Sequence, residues 1–431
     1  MRNDIRNSTS PKALAASFPL PTLGDAMDEV RLSVDRFCLL AGIEALQEMM
    51  EEDATAVCGA RHRRHGERRG YRWGATASEI AYHGGRVKMR RPRVRDRSGK
   101  EVSLESWEVL RDGDLLREWA LNLMVLNVST RKYGRAVRLP EGDLPRVNGD
   151  GTSKSSVSRR FVALSRKKMR QWLDTDLSGL DLLVVQIDGL HVGDHVLVAA
   201  VGVDGNGEKH VLAVVEGATE NAATVQALLD NLTGRGLDPG VPRLFVVDGA
   251  KALSAAIRNT FGMAAAIQRC QVHKGRNIIE RLPDHLHASV KKMLRQAWDQ
   301  KDADKAERLL RNLARRLEHE EPGVSGSILE GLDEILTVIR LGLPQELQRS
   351  LACTNIIENA LGTVRLVSRN VKRWRNAEMA LRWTATGLRE AQKTFRRLKA
   401  YRQLPILRNA LHELMRQRQA KSALETIRKA A

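Results

Sequence analysis

Residues 182–188 read LLVVQID, residues 195–203 HVLVAAVGV and residues 209–217 KHVLAVVEG, three short apolar and β-branched runs parted by Asp, Gly and Asn. Such runs with turn residues between them predict consecutive antiparallel strands. Downstream, NAATVQALLDNL reads as a helix, RLFVVD as a strand, KALSAAIRNTF as a helix and AAAIQRC as a further short strand. The order βββαβαβ predicts a mixed α/β layer in which a meander is followed by crossover units.

Working outward, residues 284–345 are helical by pattern and interrupt this α/β region, which resumes at 346–398 before a basic helical tail at 399–431. The first portion of the α/β region therefore covers 179–283. Upstream, residues 1–25 read as a loose arm, and an amphipathic helix from Val30 fits packing or dimerisation. Gly84-Gly85 separates two strand-like runs of a hairpin, so that 1–110 forms an arm, a helix and a basic small-strand region. Residues 111–178 hold a helix from Leu115, a Gly-rich break at Gly149 and Gly151, and TSKSSVSRRFVALSRKKMRQWL. In that last run Val157, Phe161, Leu164 and Trp172 fall near one helical face. Lys154, Ser155, Ser158 and Arg159, with Arg160 beside them, lie elsewhere, as in the second helix of a helix-turn-helix unit that meets DNA. A plain bundle helix is the ordinary alternative.

Charge separates the readings. The 431 residues hold 71 Lys and Arg against 52 Asp and Glu, a formal net charge of +19, which points to a polyanionic partner, with nucleic acid the first candidate. The excess is concentrated: 18 basic against 4 acidic residues in 361–431, 14 against 3 in 61–100, and 7 against none in 151–172. Residues 181–260, the most strand-like part, carry 10 acidic and 5 basic groups. An acidic pocket inside a basic protein is a sensible place for divalent cations that serve a phosphodiester. No apolar run approaches the roughly 18 residues that span a bilayer. The first residues lack the pattern of a secretory signal, and four scattered cysteines argue against a disulfide framework. A cytoplasmic, nucleoid-associated protein is the expectation.

The chemistry centres on three carboxylates. Asp188 is expected to end one strand and Asp248 another, both as Asp-Gly at the rim of the sheet, where sites in open α/β layers lie. Glu358 sits in TNIIENALGTVR on a predicted helix, with Asn355 and Arg365 on the same face. Three such groups could hold two divalent metals roughly 4 Å apart and cut or join phosphodiesters without a protein nucleophile. Each has an ordinary reading as well: Asp-Gly as a turn, and Asn355 with Glu358 as a capping-box variant.

Weaker signals remain open. Cys58, His62 and His65 lack an obvious fourth zinc ligand. Trp298 reads as a core residue or as an aromatic that stacks on an unpaired base. Low aromatic content, 4%, and the lack of a suitable Tyr motif argue against a tyrosine recombinase.

QIDGLHV, GEKHVLAVVEGATEN, VVDGAKAL, QRCQVHKGRNI and TNIIENALGTVR together resemble the Mutator-type transposases of bacterial insertion sequences, over roughly residues 110–390. The resemblance implies an RNase H-like catalytic domain with a DDE triad, here Asp188, Asp248 and Glu358, and an α-helical insertion between the second Asp and the Glu. Cys270 and His273 match the family's C-x-x-H motif and are expected, with Asn355 and Arg365, to shape the centre from behind the metal ligands. Arg276 matches the following basic position, and Lys372, Arg373 and Arg375 the basic stretch after the Glu; these are expected DNA contacts. Further implications are two Mg²⁺ or Mn²⁺ ions held by the triad, double-stranded DNA of terminal repeats and target as partner, and a homodimer or higher oligomer on DNA. A non-catalytic repressor and an RNase H-like nuclease that does not join strands are the alternatives.

Overall fold

The structure, a computed structural model, describes residues 23–63, 68–82, 85–111, 114–137, 153–217 and 222–430. The expected arm at 1–22, the hairpin turn at 83–84, the Gly-rich break and His65 lie outside them. The chain divides into two compact units, residues 1–120 with 130–157 and residues 121–129 with 158–431.

In the first unit a 36-residue helix α1 (Leu23–Cys58) is followed by β1 (Gly70–Tyr82), β2 (Gly85–Asp96), the short β3 (Glu101–Val102) and α2 (Glu105–Arg111). The helix starts at Leu23, inside the stretch expected to be loose. β1 and β2 form the expected hairpin, longer than the two apolar runs alone because pairing extends from Tyr82↔Gly85 back to Gly70↔Asp96. Period-two alternation explains it: Val87 and Met89 are buried, Lys88 and Arg90 exposed. Ile43, Met50 and Ala54 of α1 close the core against Ile80, Val94 and Trp107. The arginine-rich strand is held by ring stacking, with Arg95 4.3 Å from the Trp73 centroid and Arg91 4.9 Å from that of Trp107. Cys58 is buried, its thiol pushed up by desolvation, and His62 is exposed with φ 60.

α3 (Asp114–Val125), α4 (Tyr133–Ala136) and α5 (Lys154–Leu173) follow. Val157, Phe161, Leu164 and Trp172 of α5 are buried, while Lys154, Ser155, Ser158 and Arg159 are exposed and Arg160 is half-buried, as the helical pattern predicts. Phe161 stacks on Trp383 with centroids 4.5 Å apart.

The second unit is built on a five-stranded sheet: β4 (Leu182–Val192), β5 (His195–Asp204), β6 (Lys209–Gly217), then α6 (Ala222–Gly234), β7 (Arg243–Val247), α7 (Lys251–Phe261) and β8 (Ala265–Arg269). Strand order is β6-β5-β4-β7-β8. The first three strands pair antiparallel, and β7 and β8 join parallel to β4. The mixed sheet and its element order are those expected. One face packs Val185, Ile187, Phe245 and Val247 against Leu228 of α6 and Ile257 of α7.

The other face is covered by a larger set of helices, the C-terminal end of α5 through Trp172 and then α8 (Gln271–Ile279), α9 (Asp284–Trp298), α10 (Ala303–Leu317), α11 (Pro322–Leu329), α12 (Leu332–Ile335), α13 (Thr337–Arg340), α14 (Gln345–Leu351), α15 (Asn355–Ser368), α16 (Ala377–Lys393) and α17 (Leu404–Ala430). Their apolar stripes share one core with the sheet, in which Val290, Leu313 and Ile357 belong with Val184 and Val246. Trp298 is partly buried against this core, and its ring lies where a side chain at Gly275 would reach.

Side chains bond to outward main-chain groups on both outer strands. On β8, Thr337 Oγ1 donates to Ile267 O at 2.6 Å and Arg418 Nη1 to Ala265 O at 2.6 Å. On β6, Trp172 Nε1 donates to Val211 O at 3.0 Å, and Val211 N donates to Gln392 Oε1 at 3.0 Å. Among the described residues no helix is long and apolar enough to cross a membrane.

Candidate active site

Strand geometry sends alternate side chains to opposite faces. On β4, Val185 and Ile187 face α6 and α7, so Val184, Gln186 and Asp188 face the helical layer. On β7 the same parity sends Leu244 and Val246 to that layer and carries it on to Asp248, the first residue beyond the strand. On β8 it sends Ala266 there and carries on to Cys270. These chemically equipped positions therefore share one face of the sheet, and α15 with Glu358 lies across it.

Asp188 does not end its strand. β4 runs on to Val192, because Asp188 pairs with Ala199 of β5, and the chain turns at Gly193 and Asp194 instead. What ends near Asp188 is the pairing with β7, last seen at Gln186↔Val246. Asp188 thus borders a gap between parallel neighbours although it lies within an antiparallel pair. Gly193 has φ +59, and a Cβ there would fall 2.8 Å from the Trp374 ring, so the indole sits directly on the hairpin tip. Lys372, Arg373 and Arg375 flank that anchor and are exposed.

Asp248 does hold a turn, as its ordinary reading has it: Oδ1 accepts the Ala250 N–H at 2.9 Å, ahead of α7. The next residue, Gly249, has φ +103, and the Arg269 guanidinium occupies the space a side chain would need.

Glu358 is placed by two residues that sequence reading missed. Gln186, fully buried in β4, donates from Nε2 to Cys353 O at 3.0 Å and accepts from Ile357 N–H at 3.2 Å, fastening the start of α15 to the sheet. Thr354, also fully buried, stands at the cap of α15, a place sequence reading gave to Asn355. Asn355 is the first helical residue because Thr354 takes the preceding position. The Thr354 hydroxyl donates to Glu358 Oε1 at 2.7 Å and lies 3.3 Å from His273 Nδ1 and 3.4 Å from Cys270 Sγ. Asn355 and Arg365 are exposed, and Arg276 is exposed on α8. A polar residue inside an apolar strand, as Gln186 is in VVQI, was the available signal for the first. For Thr354 the sequence offers only a helix-capping residue type.

Removing both Gln186 hydrogen bonds leaves a buried carbonyl and a buried N–H without partners, at roughly 1–3 kcal/mol each. Gln186→Leu is expected to lower the unfolding free energy by about 2–4 kcal/mol, read by denaturant titration. An unchanged midpoint would show that α15 is held by packing alone.

Cys270 and His273 form the start of α8, where the sulfur accepts the His273 N–H at 3.4 Å. His273 Nε2 lies 3.8 Å from Glu358 Oε1, and one ligand atom each from Cys270, His273 and Glu358 fall within 4.8 Å of one another. Burial alone would raise the Cys270 thiol, but hydrogen bonds from His273 and Thr354 outweigh it and hold the thiol low. His273 is pushed up to about 9, first by its bond with Cys270 and further by the charges of Asp188 and Glu358, against burial.

The Asp188 carboxyl is displaced from its ordinary range. Burial pushes it up to about 6, the His273 charge and the Gly189 N–H oppose that, and the charges of Asp248 and Glu358 add to it. The charges of both other carboxylates thus reach Asp188, and no Lys or Arg among the described residues makes an ion pair with Asp188 or Asp248. An all-oxygen carboxylate set of this kind fits a hard divalent cation.

A mixed sheet with acidic side chains gathered on its helix-covered face is thus what the fold defines; comparison with known sequences gives the family. The Mutator-family transposase profile matches residues 28–397. The chain belongs to that family. It is similar to the transposase for insertion sequence element ISRM5 of Rhizobium meliloti (strain 1021), 29% identical over 343 residues, 78% of this chain and 83% of the relative. It is also similar to the transposase for IS6120 of Mycolicibacterium smegmatis, 29% identical over 231 residues, 52% of this chain and 70% of the relative. A further relative is the transposase for IS256 in transposon Tn4001 of Staphylococcus aureus, 25% identical over 330 residues, 74% of this chain and 80% of the relative.

Proposed function

We propose that this transposase binds the terminal inverted repeats of an insertion sequence through the helix-turn-helix-like region at 111–178 and, with an RNase H-like DDE core, nicks the 3′ ends and joins them to target DNA. The observation that carries the proposal is the placement of Asp188 and Asp248 on one sheet face with Glu358 on the helix across it, where the charges of Asp248 and Glu358 add to the burial that raises Asp188. Asp188 and Asp248 approach from the sheet and Glu358 from α15, so the triad would hold two Mg²⁺ or Mn²⁺ ions between strand and helix. When bound, the ions supply activation of the attacking oxygen and stabilisation of the leaving oxygen.

The chain's own residues do the rest. Thr354 holds the Glu358 carboxylate in place through its hydroxyl, and Gln186 holds the helix that carries it. His273, on the positive side of its titration at neutral pH, lies beside the carboxylates and limits their mutual repulsion. Lys154, Ser155, Ser158, Arg159 and Arg160 at the start of α5 are the proposed readers of the repeat. Arg276, Lys372, Arg373 and Arg375 are proposed backbone contacts, and an assembly of at least two subunits would bring the element's two ends together.

The deciding experiment incubates the protein with a supercoiled plasmid carrying the element's ends and maps nicks and joined products. Mg²⁺ and Mn²⁺ are expected to support both, and Ca²⁺ to support binding with little cleavage, because its looser coordination suits the two-metal clamp poorly. Robust cleavage in excess chelator would remove this mechanism.

A further inference from the structure

On the flank of α15, a cleft of about 400 Å³ is lined by Lys209, Arg349, Arg396 and Lys399, and by no acidic residue. Asn355, Asn359 and Thr363 form its helical wall at i, i+4 and i+8, one stripe along α15. Lys209 enters from the first residue of β6 and is half-buried. Arg396 and Lys399 come from the segment joining α16 to α17, and Arg349 from α14, where it is tied to Asp299 at 3.1 Å. Lys209, Arg396 and Lys399 make no ion pair with any described residue. The cleft thus gathers three uncompensated cations and two side-chain amides beside the helix that presents Glu358.

Resting on the transposase reading, we propose that this cleft is a track for the sugar-phosphate backbone of the DNA strand that enters the carboxylate site. Charge complementarity selects the occupant. Backbone phosphates are recognised by Lys, Arg and amide donors irrespective of sequence, and an open cleft without acidic lining suits a continuous polyanion. The stripe from Asn355 to Thr363 rises about 12 Å along the helix, at 1.5 Å per residue. That matches about three base-pair steps of a duplex whose axis runs along α15, at 3.4 Å of axial rise each. Helical geometry sets Glu358 about 60° round α15 from Asn355 and about 100° from Asn359. A strand in the track therefore passes the carboxylate instead of ending on it. Asn355, expected to support Glu358 from behind, here contacts the substrate backbone.

The test compares the variant Lys209→Glu, Arg396→Glu, Lys399→Glu with one of equal charge change on the insertion, Lys291→Glu, Lys292→Glu, Lys305→Glu. Binding of the full-length protein to a labelled terminal-repeat duplex is read by fluorescence anisotropy in chelator, across about 50 to 200 mM salt. Thermal unfolding of each variant confirms that it is folded. The cleft variant is expected to lose tenfold or more in affinity, with the log–log salt slope shallower by about 2–3, since each lost phosphate contact removes about 0.9. The insertion variant should keep the wild-type slope. Equal slopes in the two variants, with the wild type binding normally, would overturn the cleft assignment alone. No DNA binding by the wild type would overturn the transposase reading on which it rests.

Discussion

Glu358→Gln is expected to bind terminal repeats like the wild type and to show no nicking or joining. Gln keeps the volume of Glu and a side-chain oxygen that can accept the Thr354 hydroxyl, so the contact at 2.7 Å and the start of α15 survive. What is lost is the negative charge. Withdrawing a metal-holding charge raises the barrier by several kcal/mol, and each 1.4 kcal/mol is tenfold in rate, so activity should fall by at least about 10³-fold. Asp188→Asn and Asp248→Asn should behave alike, with a double variant little worse than a single one, as expected of residues that act as a unit. Near-normal strand transfer by Glu358→Gln would reduce Glu358 to a partner of Thr354. A wild type that binds ends as tightly as the variants and never cuts would favour a repressor.

Asp188→Asn should also make the metal-free protein more stable at neutral pH. The folded carboxyl titrates near 6 against an ordinary 3.8, chiefly through burial. A carboxyl raised in the folded state stabilises the fold below its unfolded value, and that stability is lost as pH rises from about 4 through about 6. At pH 7 the charged, desolvated Asp188 therefore opposes folding, by about 3 kcal/mol if the whole shift counts. Asn removes the charge and leaves an oxygen for the Gly189 N–H. The His273 imidazolium loses a counter-charge, which trims the gain to about 1–2 kcal/mol, a rise of a few degrees in Tm. The gain should vanish near pH 4. Mg²⁺ should raise the Tm of the wild type and leave that of Asp188→Asn nearly unchanged. A gain equal at pH 4 and pH 7, or no gain at all, would show that the burial of Asp188 is not an electrostatic load.

The sheet was legible because its strands are short, nearly continuous apolar and β-branched runs bounded by turn residues, and its crossovers carry helical patterns of ordinary length. The insertion was legible as helices from the same periodicity. Its sharing of one core with the sheet was not, because Val290 and Val184 meet only across more than a hundred residues of chain. The strand end at Asp188 was misplaced for a local reason: Asp-Gly is a turn pair by composition, and only cross-strand pairing with Ala199 carries β4 through it. The carboxylates themselves were visible as motif residues. Gln186 and Thr354 acquire their places from partners up to 171 residues away in sequence, which no local pattern encodes.

The side-chain bonds on the outer strands of the sheet bear on how this basic protein survives in a crowded cell. An outer strand with free N–H and C=O groups is a template on which another chain can add a strand, and β6 and β8 together offer two such templates. Indole and carboxamide groups take up both main-chain groups of Val211 on β6, and hydroxyl and guanidinium groups the carbonyls of Ile267 and Ala265 on β8. The guanidinium is that of Arg418, on the last helix, so release of the C-terminal end of α17 uncovers Ala265 on β8. Shortened chains ending before Arg418 would then be prone to edge-to-edge self-association, forming cross-β aggregates in place of DNA complexes.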